Sequence, residues 1–314
     1  MLRFRYYLEK SGGFGLVVRY LRLGVLSSAI SELFVLGVSK TGLELFRKVM
    51  DEKITQKLAR KHGKVLNEMN KRNISSLDHT HNHTIWILWW QGMNNAPLLV
   101  KRCFESVKYW LGDWNIVLLD KSNYSKYAEL PDYVIDKFHR GIIPMAQFSD
   151  LVRLSILINR GGLWLDSTVF VSGSKLPPPI LRKTDLFCYT NSSEDRRIRI
   201  SNWLIYAKTN QLLLRATQEL LYDYWKCNNW LCDYFIFHKF FTIACDKFEN
   251  EAQQIYRIDN AIPHILQLHL FDEFDNDFWE DLKKQTSIHK LTYKLQGKDI
   301  STEYTCYQKI ICQP

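Results

Sequence analysis

The 314-residue chain is long enough for a sizeable core and one main domain with appendages. Its seven cysteines are odd in number and never spaced C-x-x-C, which argues against a disulfide frame or thiolate zinc site and reads as free thiols in a reducing compartment. Residues 1–72 hold 15 Lys/Arg against 6 Asp/Glu, so the whole net charge of +9 sits there; a nucleic-acid binder would spread it over its binding face, and no nucleic-acid partner is expected.

Residues 1–83 are expected to form a basic amphipathic helical segment and linker, and residues 84–314 the globular domain. Phe14 to Val38 is rich in Leu, Val and Ile, but Arg19, Arg22 and Glu32 interrupt it, which argues against a spanning helix. Val17, Tyr20, Leu21 and Val25 share a helical face while Arg19 and Arg22 stay wet. That pattern predicts an interfacial helix on an anionic membrane surface, with packing on the protein itself or in a homodimer as the alternative. The N-terminus lacks the apolar core and cleavage site of a signal peptide, so a cytoplasmic protein, peripheral on the inner face of the plasma membrane, is expected. Gly42 to Met69 reads as a charged helix, and Asn73 to His83 as a polar linker whose His79, His81 and His83 need no metal.

Ile85 to Trp90 is a compact apolar run, a buried first strand ending at the turn Gln91-Gly92. Pro97 to Trp110 reads as a helix, Trp114 to Asp120 as a second strand, and Met145 to Arg160 as an amphipathic helix. Gly161 and Gly162 break that helix, Leu163-Trp164-Leu165 continues as a strand, and Asp166-Ser167-Thr168 follows at its C-terminal end. Further strands are expected over Asp185–Thr190 and Asn202–Ala207, and helices over Gln211–Trp225 and the aromatic Trp230–Ile243. Strands alternating with helices predict an α/β fold with a mainly parallel sheet covered on both faces.

Ligands of open α/β sheets bind at the carboxyl edge of the strands, where a carboxylate such as Asp166 can hold a divalent cation and the cation a diphosphate. Asp150 and Arg153 stand three apart and share a helix face. Trp86, Trp89 and Trp90 read either as core or as a platform for a nucleobase, with Gln91 placed to read the base edge. Asp233 and His238, five apart on an aromatic stretch, are candidates for an acceptor side.

The run Gln147-Phe148-Ser149-Asp150-Leu151-Val152-Arg153-Leu154, followed by Gly161-Gly162-Leu163-Trp164-Leu165-Asp166, resembles the bacterial capsular polysaccharide synthesis glycosyltransferases, which are related to glycosyltransferase family 32 and to sugar-transferring toxins. The shared pattern is S-D-x-x-R on a helix, a spacer, then G-G-x-x-x-D. Ile85 to Gly92 is similar to that family's opening strand and His289 to Lys294 to its closing segment, so the resemblance spans roughly Ile85 to Lys294.

The resemblance implies a GT-A fold, a nucleotide-sugar donor (a UDP-hexose first), a saccharide or lipid-linked acceptor, and a divalent cation, Mn2+ or Mg2+. It implies hexosyl transfer with retention, by front-face substitution. Asp150 and Arg153 would reach donor sugar hydroxyls, with Gly161 and Gly162 in the donor-binding motif. Asp166, Thr168 and His289 would hold the cation, and Lys290 or Lys294 would neutralise the departing diphosphate. Thr168 stands where many such enzymes carry the second acid of D-x-D. A sugar-phosphate transferase and a non-catalytic membrane-docking scaffold are the alternatives.

Overall fold

The computed structural model describes residues 13–71, 80–191, 198–295, 297–298 and 300–313. His79 and the basic residues Arg3, Arg5, Lys10 and Arg72 lie outside them. Among the described residues four helices come first: α1 (Phe14–Arg22), α2 (Leu26–Leu36), α3 (Lys40–His62) and α4 (Lys64–Lys71). Then follow β1 (Thr84–Leu88), α5 (Leu98–Trp110), β2 (Asn115–Leu119), α6 (Asp132–His139), α7 (Met145–Arg160), β3 (Gly162–Leu165) and β4 (Val169–Val171). The C-terminal half adds β5 (Leu186–Thr190), β6 (Ile200–Ala207), α8 (Leu212–Cys227), α9 (Ile236–Lys247), α10 (Ala261–Leu268), α11 (Asn276–Gln285) and β7 (Ile288–Lys290). Helix α9 starts later than the aromatic run suggests, leaving Asp233 in the preceding loop.

Five strands form one sheet in the order β2-β1-β3-β6-β5. Strand β1 runs parallel to β2 and β3, whereas β6 runs antiparallel to both β3 and β5. The sheet is mixed, which corrects the expectation of a mainly parallel one. Connection length is the reason. Helices α5, α6 and α7 return the chain between β1, β2 and β3, but only residues 191–199 separate β5 from β6. A parallel crossover needs about a dozen residues or more. A second, two-stranded sheet pairs β4 with β7 antiparallel, setting Val169 opposite Lys290.

Helix α7 is buried on all sides: every residue from Asp150 to Ile158 is shielded, along with Gln147 and Phe148. It has to reverse into the centre of the sheet without a gap, and two glycines allow this. Gly161 caps the helix at φ 66°, and Gly162 opens β3 at φ 102°. A Cβ on Gly162 would lie 2.5 Å from the Thr84 carbonyl oxygen and 3.0 Å from Trp86 Nε1. Trp86 in turn donates from Nε1 to the Gly161 carbonyl at 2.9 Å, locking β1 against the turn.

The N-terminal helices are not a detached segment. Phe46, Met50, Ile54 and Leu58 of α3 are buried in the same apolar cluster as Leu151 and Leu154 of α7 and Phe237 and Phe240 of α9. Burying each such side chain contributes about 1.5–3 kcal/mol. Polar ties reinforce the seam: His62 Nδ1 lies 2.6 Å from Asp223 on α8, and the buried Lys239 of α9 reaches Asp51 at 3.4 Å. Of the face expected to meet a membrane, Tyr20 and Val25 are buried and Leu21 is exposed. Phe14, Ile30, Phe34 and Val35 are exposed as well, with Phe34 at 92%. Among the described residues no helix is long and apolar enough to cross a membrane.

Gly162→Ala should destabilise the protein by about 2–4 kcal/mol, combining a strained φ with a backbone clash. A thermal melt within a degree of wild type would show that the turn tolerates a side chain and would sink this account.

Candidate active site

A cleft of about 690 Å³ opens at the carboxyl ends of β1 and β3. Trp89, Trp90 and Gln91 line it from the segment after β1, and Asp150 and Arg153 from α7. Asp166, Ser167 and Thr168 follow β3; Asn202 and Trp203 belong to β6. His238 of α9, Lys290 of β7 and Lys294 complete the polar wall.

Arg153 is the hub. Its Nη1 donates to Asp150 Oδ1, and its Nη2 to Asp166 Oδ1 at 2.9 Å. The guanidinium also stacks over Trp164 at 4.9 Å from the ring centroid. The side chain is only 4% exposed, so the fork is fixed where it stands. Trp164 Nε1 donates to the same Asp166 oxygen at 3.1 Å, and Asn202 Nδ2 donates to Asp150 Oδ1 at 2.9 Å. Lys290 Nζ reaches Asp166 Oδ2 at 3.3 Å and the Thr168 hydroxyl at 2.6 Å.

The two carboxylates respond differently to this frame. Burial pushes Asp150 up to about 6, and the charge of Asp166 adds to that, against the opposing pull of Arg153. Burial also works against ionised Asp166, but Lys290 and Arg153 together outweigh it and hold its carboxyl below the usual range. Burial, with Arg153 and Lys239 nearby, lowers His238 to about 3, so it faces the cleft as a neutral ring. A fixed anion, a titratable carboxyl and two cations at a strand edge can bind hydroxyls and stabilise a developing phosphate charge.

A model of the family described as capsular polysaccharide synthesis protein matches residues 39–310. The chain belongs to that family. No curated protein matches the sequence. Among solved structures it is similar to one titled "PaToxG Glycosyltransferase", at 14% identity and a TM-score of 0.37, covering 64% of this chain and 83% of that one. The family match begins at the start of α3, so this capsular polysaccharide synthesis protein carries its last two N-terminal helices within the shared region.

Asp150, Arg153 and Asp166 converge as expected, and Trp89, Trp90, Gln91, Thr168, Lys290 and Lys294 line the same cleft. Trp86 takes the first of its two readings, the core, edge-on to Tyr127. Three expectations need correction. Gly161 and Gly162 sit at the opposite end of β3 from Asp166, outside the cleft lining, and shape the turn. Asp233 caps the start of its own loop, accepting from Phe235 N at 2.7 Å, with Lys239 at 3.9 Å; it does not line the cleft. His289 is fully buried on the other side of β7, with Nε2 2.8 Å from Ser172 Oγ and its ring against Trp279. Alternation along the strand sends it away from Lys290, so Asp166, Thr168 and His289 do not meet. Among the described residues no group of three or more His, Cys, Asp and Glu could hold a metal ion.

Sequence reasoning missed Asn202. Its signal was a polar residue at the start of the otherwise apolar strand Trp203–Ala207, which reads as an edge residue until the strand's neighbour is known. Gln147 was quoted only as part of a motif, yet it is buried in the cleft wall, donating to the Tyr234 carbonyl at 3.2 Å.

Arg153→Met would take from Asp150 the cation that opposes the effect of its burial, raising it further above its unfolded value, while Asp166 keeps Lys290. A raised folded-state carboxyl costs nothing at low pH and destabilises as pH rises through its folded value, which for Asp150 already starts at about 6. The variant should lose about 3–5 kcal/mol at pH 8, as for any broken buried pair, and less at pH 5. Thermal melts showing the same deficit at both pH values would refute the pairing as the cause.

Proposed function

We infer that this protein is a glycosyltransferase of capsular polysaccharide synthesis, moving a hexose from a nucleoside diphosphate to a hydroxyl of a saccharide acceptor. The observation that carries this reading is the buried Arg153 fork, which joins Asp150 and Asp166 at the strand edge of a deep cleft. Such an arrangement suits a polar ligand with hydroxyls at one end and negative charge at the other. A GT-A-type site has that layout, with the donor laid across the carboxyl ends of the strands.

In this reading Asp150 accepts hydrogen bonds from the donor sugar, held by Arg153 and Asn202. Trp89 is the base platform: it is half-buried and lines the cleft, whereas Trp90 is boxed in by Tyr124, Phe138 and Phe148. During transfer the bond from the anomeric carbon to the β-phosphate oxygen breaks, and its electron pair stays on that oxygen. The acceptor hydroxyl oxygen bonds to the same face, and its proton passes to the departing phosphate. Both carboxylates near the sugar are engaged by cations, which favours this front-face course over a covalent intermediate. The positive groups beside Asp166 lower the barrier by meeting charge as it builds on the diphosphate.

The acceptor in this reading is built on a lipid, and the exposed face of α1 and α2 supports a membrane setting. Phe14, Leu21, Ile30, Phe34 and Val35 stand in solvent, and Arg22, Lys40, Arg47 and Lys48 are exposed on the same helices and on α3. An apolar face flanked by basic groups suits the headgroup boundary of an anionic leaflet, each basic residue contributing about 1 kcal/mol.

Asp166→Asn, which leaves Asp150 paired with Arg153, should fold with a lowered melting temperature and, below that temperature, lose transfer and hydrolysis of the donor by about a hundredfold, equivalent to about 2.7 kcal/mol of lost stabilisation. Near-normal turnover in that variant would remove Asp166 from the chemistry. For the membrane face, the full chain should co-sediment with phosphatidylglycerol vesicles at low salt and release at high salt. Ile30→Glu combined with Phe34→Glu should abolish sedimentation. Wild-type protein that ignores the vesicles, or a double variant that still sediments, would count against this face.

A further inference from the structure

We propose that the ammonium of Lys290 occupies the position that a divalent cation takes beside a strand-end aspartate, so that the donor's diphosphate is bound and released here without metal. The proposal rests on the glycosyltransferase reading of the cleft and concerns how that cleft handles phosphate charge.

Both oxygens of Asp166 already face cations. Oδ1 accepts from Arg153 Nη2 at 2.9 Å and from Trp164 Nε1 at 3.1 Å, and Oδ2 faces Lys290 Nζ at 3.3 Å. A cation at this carboxylate would have to expel an ammonium and sit beside a guanidinium. The position that carries a second acid in D-x-D is Thr168, and its hydroxyl takes Lys290 Nζ at 2.6 Å. The other carboxylate in reach, Asp150, gives Oδ1 to Arg153 and Asn202, so at most its Oδ2 could turn to a cation. His289, the remaining expected ligand, is turned to Ser172. A hard divalent ion needs several oxygen ligands, and these residues do not supply them.

Lys290 is placed by the backbone, not by a loose tail. Its strand pairs with β4 so that Lys290 lies opposite Val169, and Leu291 N donates to the Thr168 carbonyl at 2.9 Å. The strand pair therefore pins Asp166, Thr168 and Lys290 as one unit. An ammonium has three N–H donors. Two are used by Asp166 and Thr168, and Lys290 lines the cleft with its side chain 18% exposed, leaving the third for a phosphate oxygen. Asp166 then serves as the counter-ion that orients the ammonium, and Lys294, exposed in the cleft lining, adds a second positive charge.

The test is calorimetry on the full chain with inorganic pyrophosphate and with uridine, guanosine, adenosine and cytidine diphosphates, each in EDTA and again with Mn2+. At least one nucleoside diphosphate should bind in EDTA, within about twofold of its affinity in Mn2+. Lys290→Met should weaken that binding at least tenfold in EDTA while melting normally, and Lys290→Arg, which keeps the charge, should retain most of it. Binding that requires Mn2+, or Lys290→Met binding like wild type, overturns the proposal and leaves the glycosyltransferase reading in place. Binding of none of these ligands in either buffer overturns both.

Discussion

Arg153 is a buried cation, and a buried cation is stable only where anions converge on it. Removing such an ion from water costs several kcal/mol even after relaxation, and the cost is offset only by well-placed partners. Asp150 supplies one partner from the same helix, and Asp166 supplies the other from the far end of the next strand. The distance from α7 to the end of β3 is therefore constrained: a slip of one residue along β3 would turn Asp166 to the other face and strand the charge. The two glycines between them are what let the chain reverse tightly enough for the fork to close. Trp164, between the glycines and the acid, covers the guanidinium with its ring and donates to the same carboxylate.

From this hub the other parts of the site take their places. Strand β6 runs antiparallel beside β3 and brings Asn202 to the carboxylate that Arg153 does not fully satisfy. The small β4–β7 sheet brings Lys290 from 124 residues away to the opposite side of Asp166. The result is a pair of carboxylates with different characters. Asp166 is held below the usual carboxylate range by two cations, while Asp150, more deeply enclosed, is pushed up to about 6. One site thus offers a fixed charge and an adjustable one, set by burial and neighbours rather than by residue type.

The helices ahead of the sheet carry a division of labour of their own. Helices α3 and α4 close the core beneath α8 and α9 and are held there by apolar packing and by the His62–Asp223 and Lys239–Asp51 contacts. Helices α1 and α2 cover part of that layer, yet they leave Ile30, Phe34 and Val35 in solvent. Among the described residues of α1 to α3, Arg22, Lys40, Arg47 and Lys48 are exposed as well.

Much of the site was legible in the sequence, because its features are local. The helix Met145–Arg160 matches the expected span end to end, since its apolar period, flanking proline and terminal glycines are all written within the segment. The i, i+3 spacing put Asp150 and Arg153 on one face, and the position of Asp166 just past a short apolar strand put it at the cleft edge. What the sequence could not decide was everything set by partners distant along the chain. Strand polarity depended on how the chain returns after β5, and periodicity carries no sign of direction. His289 and Lys290 are adjacent, and only the pairing of β7 with β4 determines which of them faces the cleft. Asp233 reads as a candidate for the acceptor side until the loop ahead of α9 turns its carboxylate to Phe235 N, outside the cleft lining. Sequence alone determined which residues share a face; the tertiary structure decided what each face meets, because that follows from long-range packing and not from the spacing of neighbours.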